Sequence, residues 1–268
     1  MTQVHGHRGC ADGVPPNTIP AFLRAAATRC HWVEMDVVRT GDRQLLVSHE
    51  PWMDHATCVD PEGRSFSEAH GRSLNLYKMP LAEIQRYGVR PEGGDGVPHP
   101  KPTLAGVVAA LRQWSLGTDA PMPGFNIEVK SDPAWYGMYQ PPPGDLAQAV
   151  LEEMDAQQIT EQSLVQCFDP AVLEALHERN AGLPLALLVD NLGGVQDNLE
   201  RLGFTPAYYS VPFFLVTAAL VAELRERGIA LLTWTVNGRA DMQRMIGLGV
   251  DGLITDRPGE AMELLHAY

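Results

Sequence analysis

Trp32-Val33-Glu34-Met35-Asp36-Val37 is the stretch on which the fold reading turns. Side chains alternate along an extended strand, so Val33, Met35 and Val37 share one face, and Glu34 and Asp36 stand side by side on the other. The pattern returns in Asn126-Ile127-Glu128-Val129-Lys130, where residues 126, 128 and 130 share a face and Ile127 and Val129 cover the opposite one. Strands of a β/α barrel are normally lined by Val, Ile and Leu, so carboxylates on the inner face mark the place where chemistry is done.

Working outward, strand patterns fall at 3–7, 32–37, 44–48, 124–129, 163–167, 185–189, 207–210, 229–235 and 251–255. Helical patterns at 18–29, 103–115, 145–157, 170–180 and 217–227 alternate with them, which predicts a parallel α/β fold. Thr18 or Asn17, Thr103, Asp145, Asp169 and Thr217 read as helix openers, and Gly182 and Gly228 as stops. No GxGxxG follows the first strand, so the expected architecture is a TIM-type (β/α)8 barrel, somewhat distorted, spanning 1–268 as a single domain. Nine strand patterns exceed the eight required. The link from Val37 to Gln44 is too short for a crossover helix, so 32–37 and 44–48 form a hairpin or a distorted corner. Residues 50–101, rich in Pro and Gly, read as an insertion at the barrel mouth. Residues 131–144 form a turn-rich loop carrying Trp135, Tyr136 and Tyr139, a candidate aromatic cage for a quaternary ammonium or a simple packed loop.

Composition limits the partners. The chain has 268 residues and a net charge of -13, a balance that repels nucleic-acid backbones and anionic lipid, and it holds no apolar run of membrane-spanning length. The four cysteines, Cys10, Cys30, Cys58 and Cys167, form no CxxC pair and suggest neither a zinc framework nor a disulfide scaffold. No leader pattern is read at the start, so the expected location is cytoplasmic, with the periplasm open to a chain whose leader has been trimmed. Oligomeric state is left unassigned.

Glu34, Asp36 and Glu128 offer oxygen ligands alone, which suits one hard divalent cation, Mg²⁺ or Ca²⁺, with Mn²⁺ also admissible. The competing reading is a set of rim carboxylates paired with Arg and Lys. His7 and His49 each close a strand pattern. A histidine pair flanking a metal is a general acid/base arrangement for breaking a phosphate ester, and Arg8 and Lys130 supply positive charge for the phosphoryl group. His5, on the same face as His7, reads as structural.

These residues, taken in order, carry a resemblance: His7-Arg8-Gly9, Pro15-Pro16-Asn17-Thr18 with Ala21-Phe22, Glu34-Met35-Asp36-Val37, Val47-Ser48-His49, Asn126 to Lys130, Trp234-Thr235-Val236-Asn237, and Gly249-Val250-Asp251-Gly252-Leu253-Ile254-Thr255-Asp256. Over residues 4–258 the chain resembles the glycerophosphodiester phosphodiesterase family. The resemblance implies a barrel of the phosphatidylinositol-phospholipase-C type that hydrolyses glycerophosphodiesters, such as glycerophosphocholine or glycerophosphoethanolamine, to sn-glycerol 3-phosphate and an alcohol. It implies metal ligands at Glu34, Asp36 and Glu128, catalytic histidines at His7 and His49, phosphate contacts at Arg8 and Lys130, and Trp234 beside the substrate. The expected route is attack by the glycerol 2-hydroxyl through a cyclic phosphate, with His7 as base and His49 as acid.

The chain departs from the family pattern in three places. Pro16 replaces the usual Glu, with Asp12 as the acid available to take its place. Glu50 follows His49 where Asp is usual, and Cys167 stands in a serine position. Two other functions share these residues: a phosphodiester-binding barrel weakened in catalysis by Pro16, and a phospholipid lyase of the sphingomyelinase D kind that stops at the cyclic phosphate.

Overall fold

The computed structural model describes residues 2–91 and 96–267. Eleven strands are present among them: β1 Gln3–Gly6, β2 Trp32–Arg39, β3 Leu45–Val47, β4 Cys58–Val59, β5 Gly88–Val89, β6 Gly124–Val129, β7 Ser163–Cys167, β8 Leu185–Leu188, β9 Tyr208–Pro212, β10 Ala230–Trp234 and β11 Gly252–Thr255. Eight of them, β1, β2, β6, β7, β8, β9, β10 and β11, run parallel, and pairing of β1 with both β11 and β2 closes the barrel. The surplus strand is β3. It pairs antiparallel with the far end of β2, Val37 opposite Val47 and Arg39 opposite Leu45, so 32–37 and 44–48 form a hairpin outside the barrel. That turn brings the chain from the end of β2 straight back to the mouth at His49.

The helices Leu104–Thr118, Pro170–Arg179 and Ala218–Glu226 are capped as their sequences predict: Thr103 accepts from the Gly106 amide, Asp169 from Ala171 and Thr217 from Leu220. Two openers act otherwise. The Thr18 hydroxyl donates to the Pro15 carbonyl rather than capping Ile19–Ala27. Asp145 sits inside the first turn of a helix that starts at Pro143, since proline needs no amide donor there. The helices Arg239–Leu248 and Pro258–His266 complete the ring and escaped the pattern reading. Arg239–Leu248 has a polar average and Gly238, which makes no side-chain cap, at its start.

The main core lies between barrel and helices, where Val33, Met35, Ile127, Val165 and Leu253 meet Phe22, Val107, Leu146 and Leu173. Inside the barrel a smaller cluster of Leu164, Ala186, Leu232 and Ile254 packs beside Trp32, Tyr208 and Trp234. Residues 50–101, of which 92–95 lie outside the described residues, carry the short β4–β5 pair and the helices Glu68–Ser73 and Leu81–Ile84. They bury Met53, Cys58, Leu76, Ile84 and Val89 against Val38 and Leu46 of the β2–β3 hairpin. The Asn75 amide donates to the Met138 carbonyl, tying this segment to the 131–144 loop. Cys10, Cys30, Cys58 and Cys167 are all buried and unpaired. No helix among the described residues is long and apolar enough to cross a membrane.

Candidate active site

Strand register sets the inner wall of the mouth. On β2 and β6, Glu34 lies opposite Asn126 and Asp36 opposite Glu128, and Glu128 in turn lies opposite Gln166 of β7. Glu34, Asp36 and Glu128 each offer a carboxylate oxygen within 4.8 Å of the others, and no other such group of potential ligands occurs among the described residues. Glu34 and Asp36 are 1% exposed. Burial pushes the Glu34 carboxyl well above its ordinary range, and the charges of Asp36 and Glu128 push it further the same way. Burial would raise Asp36 too, but Arg8 foremost, then Lys130, His49 and the Asn17 amide, hold it below the usual carboxylate range. Three crowded carboxylates answered by two side-chain cations leave the cluster one positive charge short of neutral, and the donors are all oxygen. Both facts fit a hard divalent ion.

The two cations come from either side. Arg8 follows β1 with a left-handed φ of 51°; its amide donates to Glu34 Oε2 at 2.8 Å, and its Nε lies 3.1 Å from Asp36 Oδ2. Gly9 makes this turn possible. Its φ is 90°, and a Cβ there would meet the Ala21 backbone at 2.5 Å. Lys130 Nζ lies 2.6 Å from Glu128 Oε1 and 3.8 Å from Asp36 Oδ1. Burial opposes its charge, but Glu128 and Asp36 outweigh that and raise its pKa.

The two histidines line the same chamber, each held through Nδ1 by a carboxylate. His7 Nδ1 is 2.7 Å from Asp256 Oδ1, and His49 Nδ1 is 2.8 Å from Glu50 Oε1. Both Nε2 atoms are thereby turned from these carboxylates. Lys130 Nζ donates to His49 Nε2 at 3.2 Å. His7, Arg8, Glu34, His49, Glu128, Lys130 and Trp234 line one chamber of about 190 Å³, walled on its apolar side by Phe168, Leu188 and Ile254. Asp36 lies behind it. The Trp234 ring meets Phe168 edge to face at 5.9 Å. All eight residues singled out from the sequence therefore converge.

Four contributors were not singled out there. Asp256 holds His7, and its Oδ2 accepts from Asn237 Nδ2 at 2.5 Å while Asn237 Oδ1 accepts from the Asp256 amide at 2.9 Å. Asn17, with φ 58°, donates to Asp36 Oδ2 at 2.8 Å. Gln166 lines the chamber. The polar ends of the quoted motifs, Asn17-Thr18, Trp234 to Asn237 and Thr255-Asp256, were the available signal for the first three; for Gln166 it was a lone amide in an apolar strand.

Two of the readings offered by the sequence fail. Asp12 does not stand in for the acid missing at Pro16: it is exposed, and its backbone carbonyl accepts from Arg24. The acid beside His7 is Asp256. The aromatic cage is not formed either. Trp135 and Tyr139 pack edge-on against Trp52 at 5.8 and 5.3 Å, while the Tyr136 hydroxyl donates to Asp169. Burial keeps the Cys167 thiol protonated, and it donates to the Val129 carbonyl at 3.0 Å. His5, as expected, is structural: it stacks on Trp32 at 5.5 Å, and burial lowers its pKa to about 3.

A closed parallel barrel with paired histidines, a carboxylate cluster and two cations at its C-terminal mouth offers the acid/base groups and charge that hydrolysis of a phosphate ester calls for. Residues 7–260 match the model of the glycerophosphoryl diester phosphodiesterase family. A glycerophosphodiester phosphodiesterase of Caldanaerobacter subterraneus subsp. tengcongensis is 28% identical over 267 residues, covering 99% of this chain and 98% of that one. A solved structure from Silicibacter pomeroyi given the same family name superposes with a TM-score of 0.86 at 27% identity, over 100% of this chain and 94% of its own. An Oleispira antarctica phosphodiesterase, solved in complex with its product sn-glycerol-3-phosphate, shares the fold with a TM-score of 0.78 at 19% identity, over 99% and 97% of the two chains. The chain belongs to the glycerophosphoryl diester phosphodiesterase family and is an enzyme, a phosphoric diester hydrolase.

Proposed function

We propose that the chain, acting as a single domain, hydrolyses glycerophosphodiesters such as glycerophosphocholine or glycerophosphoethanolamine to sn-glycerol 3-phosphate and an alcohol. The observation that carries this reading is one chamber in which His7 and His49 flank the Glu34, Asp36 and Glu128 cluster with Arg8 and Lys130 beside it. Glu34, Asp36 and Glu128 are the residues that would hold a Mg²⁺, Ca²⁺ or Mn²⁺ ion. A divalent ion there supplies Lewis acidity to substrate oxygens and turns the local charge positive, which one diester monoanion neutralises.

The chain's own groups do the rest. Asp256 takes the His7 Nδ1 proton into a hydrogen bond, so His7 Nε2 presents a lone pair and serves as base toward the glycerol 2-hydroxyl. His49 is the more exposed of the two, its side chain 39% accessible against 19% for His7, which suits the group that hands a proton to a departing alcohol. Arg8 and Lys130 turn donors toward the phosphoryl oxygens, and Trp234 walls the glycerol arm. Attack by the neighbouring hydroxyl is intramolecular, gaining from held geometry, and passes through a cyclic phosphate that water opens. Four buried, unpaired cysteines suit a reducing compartment, in keeping with a cytoplasmic location.

A coupled assay for sn-glycerol 3-phosphate over a panel of diesters, with EDTA and with each of the three ions, tests the reading. Release of sn-glycerol 3-phosphate supports it. Tight binding without product points to a binding barrel, and cyclic phosphate as the end product to a lyase.

A further inference from the structure

We infer that Gln166 reads the substrate by accepting a hydrogen bond from the terminal hydroxyl of its glycerol arm, an inference that rests on the glycerophosphodiester reading and adds to it the residue that selects the arm. Gln166 is 2% exposed yet lines the catalytic chamber. Its Nε2 lies 3.4 Å from Glu34 Oε1, and its amide oxygen has no partner among the described residues. With a divalent ion bound, Glu34 would be an ionised carboxylate that can only accept, so it would draw the N–H side of the amide and leave the carbonyl oxygen for whatever enters the chamber. A buried carbonyl oxygen is costly to leave without a donor, and so a group of this kind marks a ligand contact. Arg8 Nε and Trp234 Nε1 are also buried without a hydrogen bond in the chamber, but both are donors, so among the described residues Gln166 supplies its one unpartnered acceptor; His5, Asn126 and Ser210 carry such atoms outside it.

Register shows which ligand group this oxygen meets. Asp36, Glu128 and Gln166 occupy one level on three neighbouring strands, each about 4.8 Å from the next. Beyond Gln166 the wall becomes apolar with Leu188, Phe168 and Trp234. Gln166 thus stands between the ionic cluster and the apolar wall. A carbonyl oxygen repels a phosphate, and a cation is better held by the three carboxylates than by a neutral amide, which leaves a neutral hydroxyl donor. The attacking 2-hydroxyl belongs beside His7 and the carboxylates. The next carbon of the glycerol arm carries the terminal hydroxyl, and the next inward side chain along the row is Gln166.

The test is a cycle between enzyme and ligand. Isothermal titration of the Mg²⁺-saturated protein compares sn-glycerol 3-phosphate with propane-1,2-diol 1-phosphate, which lacks the terminal hydroxyl, for wild type and Gln166→Leu; kcat and KM are compared on the corresponding choline diesters. Wild type is expected to lose about 10- to 100-fold in affinity when the hydroxyl is removed, whereas Gln166→Leu loses a similar factor on the full ligand and becomes indifferent to the hydroxyl. Gln166→Met, of matching length, replaces the leucine variant if that variant does not fold. Equal wild-type affinity for both ligands overturns the inference. So does a hydroxyl penalty that persists in Gln166→Leu, or a loss of Mg²⁺ affinity with the hydroxyl penalty unchanged. Hydroxyl-dependent binding without turnover of any diester would sink the proposed activity while supporting the role of Gln166.

Discussion

His7 and Asp256 are 249 residues apart in the chain and 2.7 Å apart in the barrel. The contact exists because β1 and β11 are neighbours in the closed sheet, with Gly6 in register with Thr255. Each histidine is then one step of a chain that begins in a carboxylate. The Asp256 branch is the better anchored, since Asn237 grips both its side chain and its backbone.

Asp256→Asn is expected to lower kcat/KM by about 10²- to 10⁴-fold while leaving metal binding intact, because the loss falls on the tautomer and orientation of His7. Burial works to raise the Asp256 pKa, but the His7 hydrogen bond and charge, then Asn237 and Arg8, hold it below the ordinary value. A depressed carboxyl contributes stability that is present above its unfolded pKa of about 3.9 and is lost as pH falls through the folded value. Melting curves of wild type and Asp256→Asn between pH 2 and 7 should therefore differ at neutral pH and converge in acid. A gap that stays constant across the range would remove Asp256 from the linkage.

His7→Ala and His49→Ala should each cost about 10²- to 10⁴-fold in kcat on glycerophosphocholine. Because Lys130 donates to His49 Nε2, the proposed role of His49 as acid requires the phosphate to draw Lys130 away. Lys130→Met is therefore expected to alter the pH profile of kcat as well as KM. Near-wild-type turnover in both alanine variants would end the two-histidine assignment.

The cluster sets stability against function at Glu34. Its folded pKa is raised by burial and by Asp36 and Glu128, so the stability tied to its protonated form is full below the unfolded pKa and lost as pH rises through the folded one. Glu34→Gln keeps an acceptor for the Arg8 amide, which now donates to Glu34 Oε2, and removes one buried charge. In EDTA at pH 7.5 this variant should be more stable than wild type by about 1–2 kcal/mol, a rise in Tm of roughly 2–6 °C. With Mg²⁺ the order should reverse, since wild type at 100 times its Kd gains about 2.7 kcal/mol and the variant gains little. Thermal melts of both proteins with and without the ion check this; a variant that melts below wild type in EDTA would contradict it.

How much of this was legible depends on how local the signal was. Glu34, Asp36, Glu128 and Lys130 could be read because strand alternation is a two-residue rule, and a charge breaking an apolar strand is visible in six letters. The surplus strand 44–48 was legible as a problem, since no helix fits between Val37 and Gln44, and the antiparallel β3 resolves it. What required the fold were the partners brought by closure. Asp256 reaches His7 only because β1 pairs with β11, and Asn17 reaches Asp36 only through a left-handed turn. Gln166 becomes meaningful only once β7 is placed beside β6.

The loop aromatics give the last prediction. Trp135, Tyr136 and Tyr139 spend their faces and hydroxyls on neighbours: Trp52 receives two of the rings edge-on, with the Arg72 guanidinium 4.5 Å from its centroid, and Asp169 binds the Tyr136 hydroxyl together with that of Ser131. Such packing steadies the wall of a neighbouring cavity of about 340 Å³, which Trp135 lines and which shares Glu128, Lys130, Phe168 and Leu188 with the catalytic chamber. Trp135→Ala and Tyr139→Ala should therefore leave the ranking of choline, ethanolamine and glycerol diesters unchanged. Tyr136→Phe, which strips a partly buried hydrogen bond from Asp169, should lower stability by about 0.5–1.5 kcal/mol. Parallel kcat/KM measurements on the three diesters, with a urea melt of each variant, decide the matter: selective loss of the choline diester would restore the cage, and an unchanged ranking with lowered stability assigns these rings to the wall.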